Sequence, residues 1–184
     1  MIEQHPFRYF LPPQAHTLIM GSFPCFNGLD YGGWFYNGSG KNFLWPLLAA
    51  VFNQPAQTPA EQQRLCLHQG LALTDVAAKI IRTRGNCSDA NLKILEINHT
   101  GIDRCLAAGI SRILFTGRLV YRIFARHYPH FDGSTEVLIS PSPAANRFIA
   151  SLPEYRQLLA AQKVSSLFEY RLLRYRQAFL VTPA

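Results

Sequence analysis

The chain has 184 residues, a net charge of +7, 48% hydrophobic and 12% aromatic residues, and a mean hydropathy of +0.01. These values exclude a disordered chain, and no apolar run approaches the ~20 residues of a helical membrane span. They leave one domain, ample to bury a core.

The charge is uneven: residues 1–92 hold 6 Lys/Arg against 5 Asp/Glu, and residues 93–184 hold 12 against 6. A basic half suits a polyanion, because cations near phosphates gain from released counterions. The opening MIEQHPFRYF lacks the charged-then-apolar layout of a secretory signal, so a cytoplasmic protein is expected.

Thr17 to Met20 is a short apolar run of the kind that fills a buried strand, and Gly21-Ser22-Phe23-Pro24 follows it as a turn. The next segment is crowded with glycine and with Tyr31, Trp34, Phe35 and Tyr36; Asn42 and Trp45 lie behind it. Ligands of open α/β sheets bind outside the carboxyl ends of strands. Flat aromatic faces there could sandwich a nucleobase, although any one of them also suits a core. Phe43 to Phe52 carries leucine and valine at helical spacing, and Pro59 begins a second helix that runs to about His68. Ala72–Thr74 predicts a second strand. Ser88 to about Asn98 and Ile102 to Ala108 predict two helices, with Gly109 as a stop. A third strand over Arg112–Thr116 leads into a helix from Leu119 to His127. Glu136–Ile139 predicts a fourth strand, which runs into Ser140-Pro141-Ser142-Pro143-Ala144-Ala145-Asn146-Arg147.

From Leu152 to about Phe179 the chain reads as helical, broken near Val164–Ser166. Its segment Phe168 to Arg176 is basic and amphipathic, a solvated face by default and a phosphate-contacting surface as the alternative. Strand–helix alternation with short turns predicts a single α/β domain over residues 1–184. Its architecture is three layers, α/β/α, around a mostly parallel four-stranded sheet, with a basic helical segment from about residue 152.

Cys25, Cys66, Cys87 and Cys105 are scattered without a C-x-x-C pair, so buried or idle thiols are expected in place of disulfides. The six histidines make no metal spacing, and no metal site is expected.

A strand ending in GSFP, aromatics beyond it, and a late strand ending in SPSP together resemble the uracil-DNA glycosylase superfamily. Tyr36 followed by Asn42-Phe43-Leu44-Trp45 resembles the aromatic-then-N-x-F-W signature of its mismatch-specific and hypoxanthine branches. Leu71 to Val76 resembles the middle strand, and Asn86-Cys87-Ser88-Asp89-Ala90-Asn91 the polar segment after it. The resemblance spans roughly residues 5 to 150, in order. It implies a DNA glycosylase that flips a deaminated or damaged base (hypoxanthine, uracil or xanthine) and hydrolyses its N-glycosidic bond, without a metal or organic cofactor.

Two positions depart from the superfamily's commoner pattern: Phe23 stands where many branches carry Asp or Asn, and Ser140 where several carry His. The hypoxanthine branch shows the same departures and uses an asparagine in the N-x-F-W segment. The resemblance therefore implies Asn42 and Ser140 as catalytic residues. Asn42 acts by orientation and hydrogen bonding, since an amide is no general base; capping the next helix is its other reading. Gly21, Ser22, Phe23, Pro24, Phe35, Tyr36 and Ser142 are the implied substrate contacts, with Tyr36 or Phe35 as stacking platform. Lys41, Pro141, Pro143, Asn146 and Arg147 are the implied DNA contacts. Asp75 is expected to fix the loop after its strand. DNA is the implied partner, of a monomer. A member of the fold that binds nucleic acid or a nucleotide without excision is the alternative, and a small-metabolite enzyme a third reading.

Overall fold

A computed structural model describes residues 1–84 and 86–180 of the chain. Thr17–Gly21 (β3), Leu71–Asp75 (β4) and Arg112–Phe115 (β7) form the centre of a five-stranded sheet. Ser134–Val137 (β8) lies at one edge and Tyr9–Phe10 (β2) at the other, in the order β2-β4-β3-β7-β8. All pairings are parallel except β2 with β4. The expected four strands are all present, and β2 makes the fifth.

Side chains of β3 alternate between two cores, as the two-residue period of a strand requires. Ile19 faces Leu47, Leu48 and Tyr175 from Leu44–Phe52 (α1) and Leu167–Leu180 (α7), on the side where Pro59–Gln69 (α2) also packs. Leu18 and Met20 face Ile102, Cys105 and Phe124 from His99–Ala107 (α3) and Arg118–His127 (α4). Helices therefore cover both faces, and the three-layer expectation holds. Each fully buried aliphatic side chain contributes roughly 1.5–3 kcal/mol. Thr58 caps α2: its hydroxyl takes the Glu61 N–H while the Glu61 carboxylate reaches back to the Thr58 N–H.

A second, antiparallel sheet corrects the sequence reading. Ile2–Gln4 (β1), Ala77–Arg82 (β5) and Leu92–Ile97 (β6) pair in the order β1-β5-β6. The helix expected from Ser88 to Asn98 is instead a short 3-10 turn, Asp89–Asn91, and the strand β6. Pairing with β5 overrides a local pattern that also fits a helix. The fourth strand lies two residues earlier than expected. Leu138 and Ile139 just beyond it turn towards the core, and the strand itself is an exposed edge.

The C-terminal segment folds as Asn146–Ser151 (α5), Pro153–Ala160 (α6) and α7, with the break between the last two at 161–166. Among the described residues no helix is long and apolar enough to cross a membrane. The expectation about thiols is met at Cys66 and Cys105, both buried and pushed up to about 12 by burial. It fails at Cys25 and Cys87, which form a disulfide. Their separation of 62 residues hides the pairing from any spacing rule.

Candidate active site

Parallel pairing sends the carboxyl ends of β3, β4, β7 and β8 to one side of the sheet, where a cleft of about 270 Å³ opens. One wall comes from the loop after β3: Ser22, Phe23, Pro24 and Cys25. Facing it is the loop after β8, with Ser140, Pro141, Ser142 and Ala144. Tyr36, Asn42, Asp75, Asp89 and Thr116 complete the lining.

At the base of the cleft Gly21 lets two polar groups converge. A Cβ there would overlap Asp75 Oδ1 and stand 2.6 Å from the Tyr36 hydroxyl, so only glycine fits. Tyr36 itself sits at φ +63°, a left-handed conformation uncommon for a non-glycine residue and concentrated at functional sites. Its hydroxyl is buried and lacks a hydrogen bond of good geometry, with the Thr116 hydroxyl as a neighbour. Burial, and then the Asp75 charge, hold the phenol well above its ordinary range.

Asp75 is buried and accepts a hydrogen bond from His5 Nε2 at 2.9 Å. His5 Nδ1 accepts the N–H groups of Phe7 and Arg8, which leaves its proton on Nε2, aimed at Asp75. Phe23 packs edge-on to His5, with ring centroids 5.4 Å apart. Asp75 is expected to fix the loop after its strand; nothing local in the sequence points to its partner His5, 70 residues away.

Asp89 was missed as well. Its Oδ1 accepts a 2.6 Å hydrogen bond from the Ser22 hydroxyl, 67 residues away. Burial raises the Asp89 carboxyl above the usual carboxylate range and the Asp75 charge adds to that, while Ser22 and Arg82 oppose it. The Cys25–Cys87 disulfide ties the segment before Asp89 to the GSFP loop, and Arg82 Nη2 donates to the Pro24 carbonyl.

The opposite wall is held by a buried cation. Arg171 of α7 is fully buried; its Nε donates to the Ser140 carbonyl at 2.8 Å. Its Nη2 donates to the Ser142 carbonyl and to Asn146 Oδ1, and its guanidinium lies 4.8 Å from the centre of the Phe43 ring. The Phe43 N–H donates to the Pro141 carbonyl at 2.9 Å, joining the N-x-F-W segment to the SPSP loop. The solvated-face expectation for this helix is thus corrected at Arg171. It holds at Arg174, a half-exposed residue paired with Glu154.

Asn42 Oδ1 accepts the Leu44 N–H at 2.9 Å, so the amide supports the start of α1 and lines the cleft as well. The Ser140 hydroxyl accepts the Ser142 N–H, and the Ser142 hydroxyl accepts the Ala144 N–H. Phe35 is core, packed on Phe7 and Trp34, and its carbonyl accepts the Trp45 indole N–H; it stands apart from the cleft. Lys41 and Arg147 are exposed and outside the cleft lining, Pro143 opens the short turn beyond Ser142, and Asn146 is engaged by Arg171. Asp30 closes an exposed turn with Asn27 and Gly32. Among the described residues no group of three His, Cys, Asp or Glu is placed to hold a metal ion.

A solution NMR structure from Methanosarcina acetivorans, named a "putative Uracil DNA glycosylase", is similar to this chain in fold, with a TM-score of 0.63. The two chains are 24% identical, and the match covers 93% of this chain and 99% of that one. That likeness establishes the fold. No family model and no curated protein matches the chain.

Proposed function

We propose that this protein is a monofunctional DNA glycosylase of the uracil-DNA glycosylase superfamily. It flips a deaminated or otherwise damaged base from the stack and hydrolyses its N-glycosidic bond. The observation that carries the reading is the convergence of three separated motifs on one cleft. GSFP, the aromatic-then-N-x-F-W segment and SPSP meet at the carboxyl ends of parallel strands. The cleft is smaller than the ~300–1,000 Å³ usual for drug-sized ligands, which is in keeping with a single base. The fold shared with a protein named for glycosylase activity supports the same reading.

On this reading Tyr36 is the stacking platform, and its branch-specific position favours hypoxanthine, uracil or xanthine as the leaving base. Asn42 has its Oδ1 committed to Leu44, so its amide N–H₂ is the part left to hold a base edge or a water. Ser140, Ser142 and the backbone of their loop contact the base or its flanking phosphate. Gly21, Ser22, Phe23 and Pro24 shape the opposite wall. Lys41, Pro141, Pro143, Asn146 and Arg147 form the DNA-facing rim. Phe148, 56% exposed beside Arg147, adds an apolar group of the kind that wedges into a base step. DNA is the partner of a cytoplasmic monomer that uses no cofactor. The Cys25–Cys87 bond is the feature least suited to a reducing cytoplasm.

The test is base release from labelled oligonucleotides carrying uracil, hypoxanthine or xanthine, in duplex and single strands, with Asn42→Ala beside the wild type. Excision lost in the variant supports both the activity and the residue. Salt-sensitive DNA binding without release from any lesion would move the protein to the binding-only reading.

A further inference from the structure

The glycosylase reading leaves one gap: the GSFP loop holds no oxygen basic enough to take a proton from water. Phe23 has none, Ser22 donates its own proton to Asp89, and Asn42 is an amide. We propose that Asp89 is the catalytic carboxylate that positions and deprotonates the attacking water. The inference rests on the glycosylase reading and goes beyond it by assigning the base.

Four observations carry it. Asp89 lines the same cleft as Tyr36, Asn42 and Ser140. Its Oδ1 is fixed by the Ser22 hydroxyl, whereas Oδ2 has no hydrogen-bond partner among the described residues. Oδ2 faces Gly117, whose missing side chain leaves this side of the carboxylate uncrowded: a Cβ there would meet Oδ2 at 3.9 Å. The segment that carries Asp89 is anchored to the GSFP loop twice, by the Ser22 bond and by Cys25–Cys87. Such anchoring fixes a catalytic group in a productive geometry. Asp75, the other carboxylate of the cleft, is nearly fully buried and engaged by His5, which suits it to fixed negative charge beside a cationic sugar.

The step balances simply. The C1′–N bond breaks with its electron pair going to the base, and the water oxygen bonds to C1′. One water proton goes to Asp89 Oδ2 and from there to solvent, while the departing base anion gains a proton. Burial supports this use, because a carboxyl whose affinity for protons is raised is a better base at neutral pH.

The experiment is single-turnover excision across pH by wild type, Asp89→Asn and Ser22→Ala, alongside affinity for DNA carrying a tetrahydrofuran abasic analogue. Asp89→Asn is expected to lower the excision rate ~10²-fold or more and to bind the analogue within about twofold of wild type. Ser22→Ala removes a bond that favours the ionised form, so the acid limb of its pH–rate profile should move to higher pH. A merely structural Asp89 would not move that limb. An active wild type with Asp89→Asn within about threefold of it overturns the assignment and leaves the glycosylase reading standing. An Asp89→Asn variant that loses analogue binding together with activity, with an unmoved limb in Ser22→Ala, also overturns it. A wild type that excises no base overturns the reading and this role together.

Discussion

The two walls of the cleft are built on opposite plans. The GSFP wall is tied to the rest of the molecule by ionisable groups: Ser22 on Asp89, Arg82 between Glu3 and the Pro24 carbonyl, and His5 on Asp75 beneath. The SPSP wall is held by its own backbone carbonyls, which one permanently charged arginine and one amide N–H collect. Burial raises the proton affinity of Asp89 on the first wall, whereas the second is gathered by an arginine and an amide. Position and protonation state are divided between two loops more than 100 residues apart.

Substitutions on each side sharpen that contrast. The largest effect is expected at Arg171→Ala, which orphans the Ser140 and Ser142 carbonyls and empties a packed site; unfolding measurements should show a loss of about 3 kcal/mol or more. Next is Gly21→Ala, whose methyl collides with Asp75 and the Tyr36 hydroxyl; excision should fall ~10²-fold, with a stability cost of about 1–3 kcal/mol. Replacing Cys25 and Cys87 together by serine should lower stability by about 2–4 kcal/mol through the freed loop, measured by denaturant unfolding, while the SPSP wall is unaffected. Arg174→Ala, three residues from Arg171 on the same helix, should stay within about 0.5 kcal/mol, because its pair with Glu154 is exposed.

Asp89→Asn gives a test with a definite sign. Its folded-state proton affinity is raised, so the carboxylate adds stability below its unfolded range and loses it as pH rises through the folded value. Relative to wild type the asparagine variant should gain stability on going from acidic to neutral pH, followed by melting temperature in each buffer. A variant that instead becomes relatively weaker at neutral pH would mean that Ser22 and Arg82 outweigh burial at this carboxylate.

The central sheet and its helices were legible because β3, β4 and β7 are apolar runs and α1 to α4 keep helical spacing. The second sheet was not: β6 is half-exposed, and only β5 decides that Leu92–Ile97 is a strand. The GSFP and SPSP motifs stand out in the sequence, and the fold sets them facing each other across the cleft. The ionisable groups between them were harder to see. Asp89 lay in a segment already noticed, but nothing local showed that Ser22 would meet it. Arg171 and Arg174 are indistinguishable by charge pattern, since a helix face is assigned by what packs on it. Phe35 and Tyr36 are neighbours of the same type, and a left-handed turn at Tyr36 sends one to the core and the other to the cleft.

The partnership of His5 with Asp75 and of Ser22 with Asp89 joins residues 70 and 67 positions apart. Contacts of such long sequence range form only when the whole topology closes, so no fragment or half-folded intermediate can assemble this chemistry. On the proposed reading excision would report global cooperativity: in a denaturant titration its loss should coincide with the collapse of the sheet signal, and not precede it.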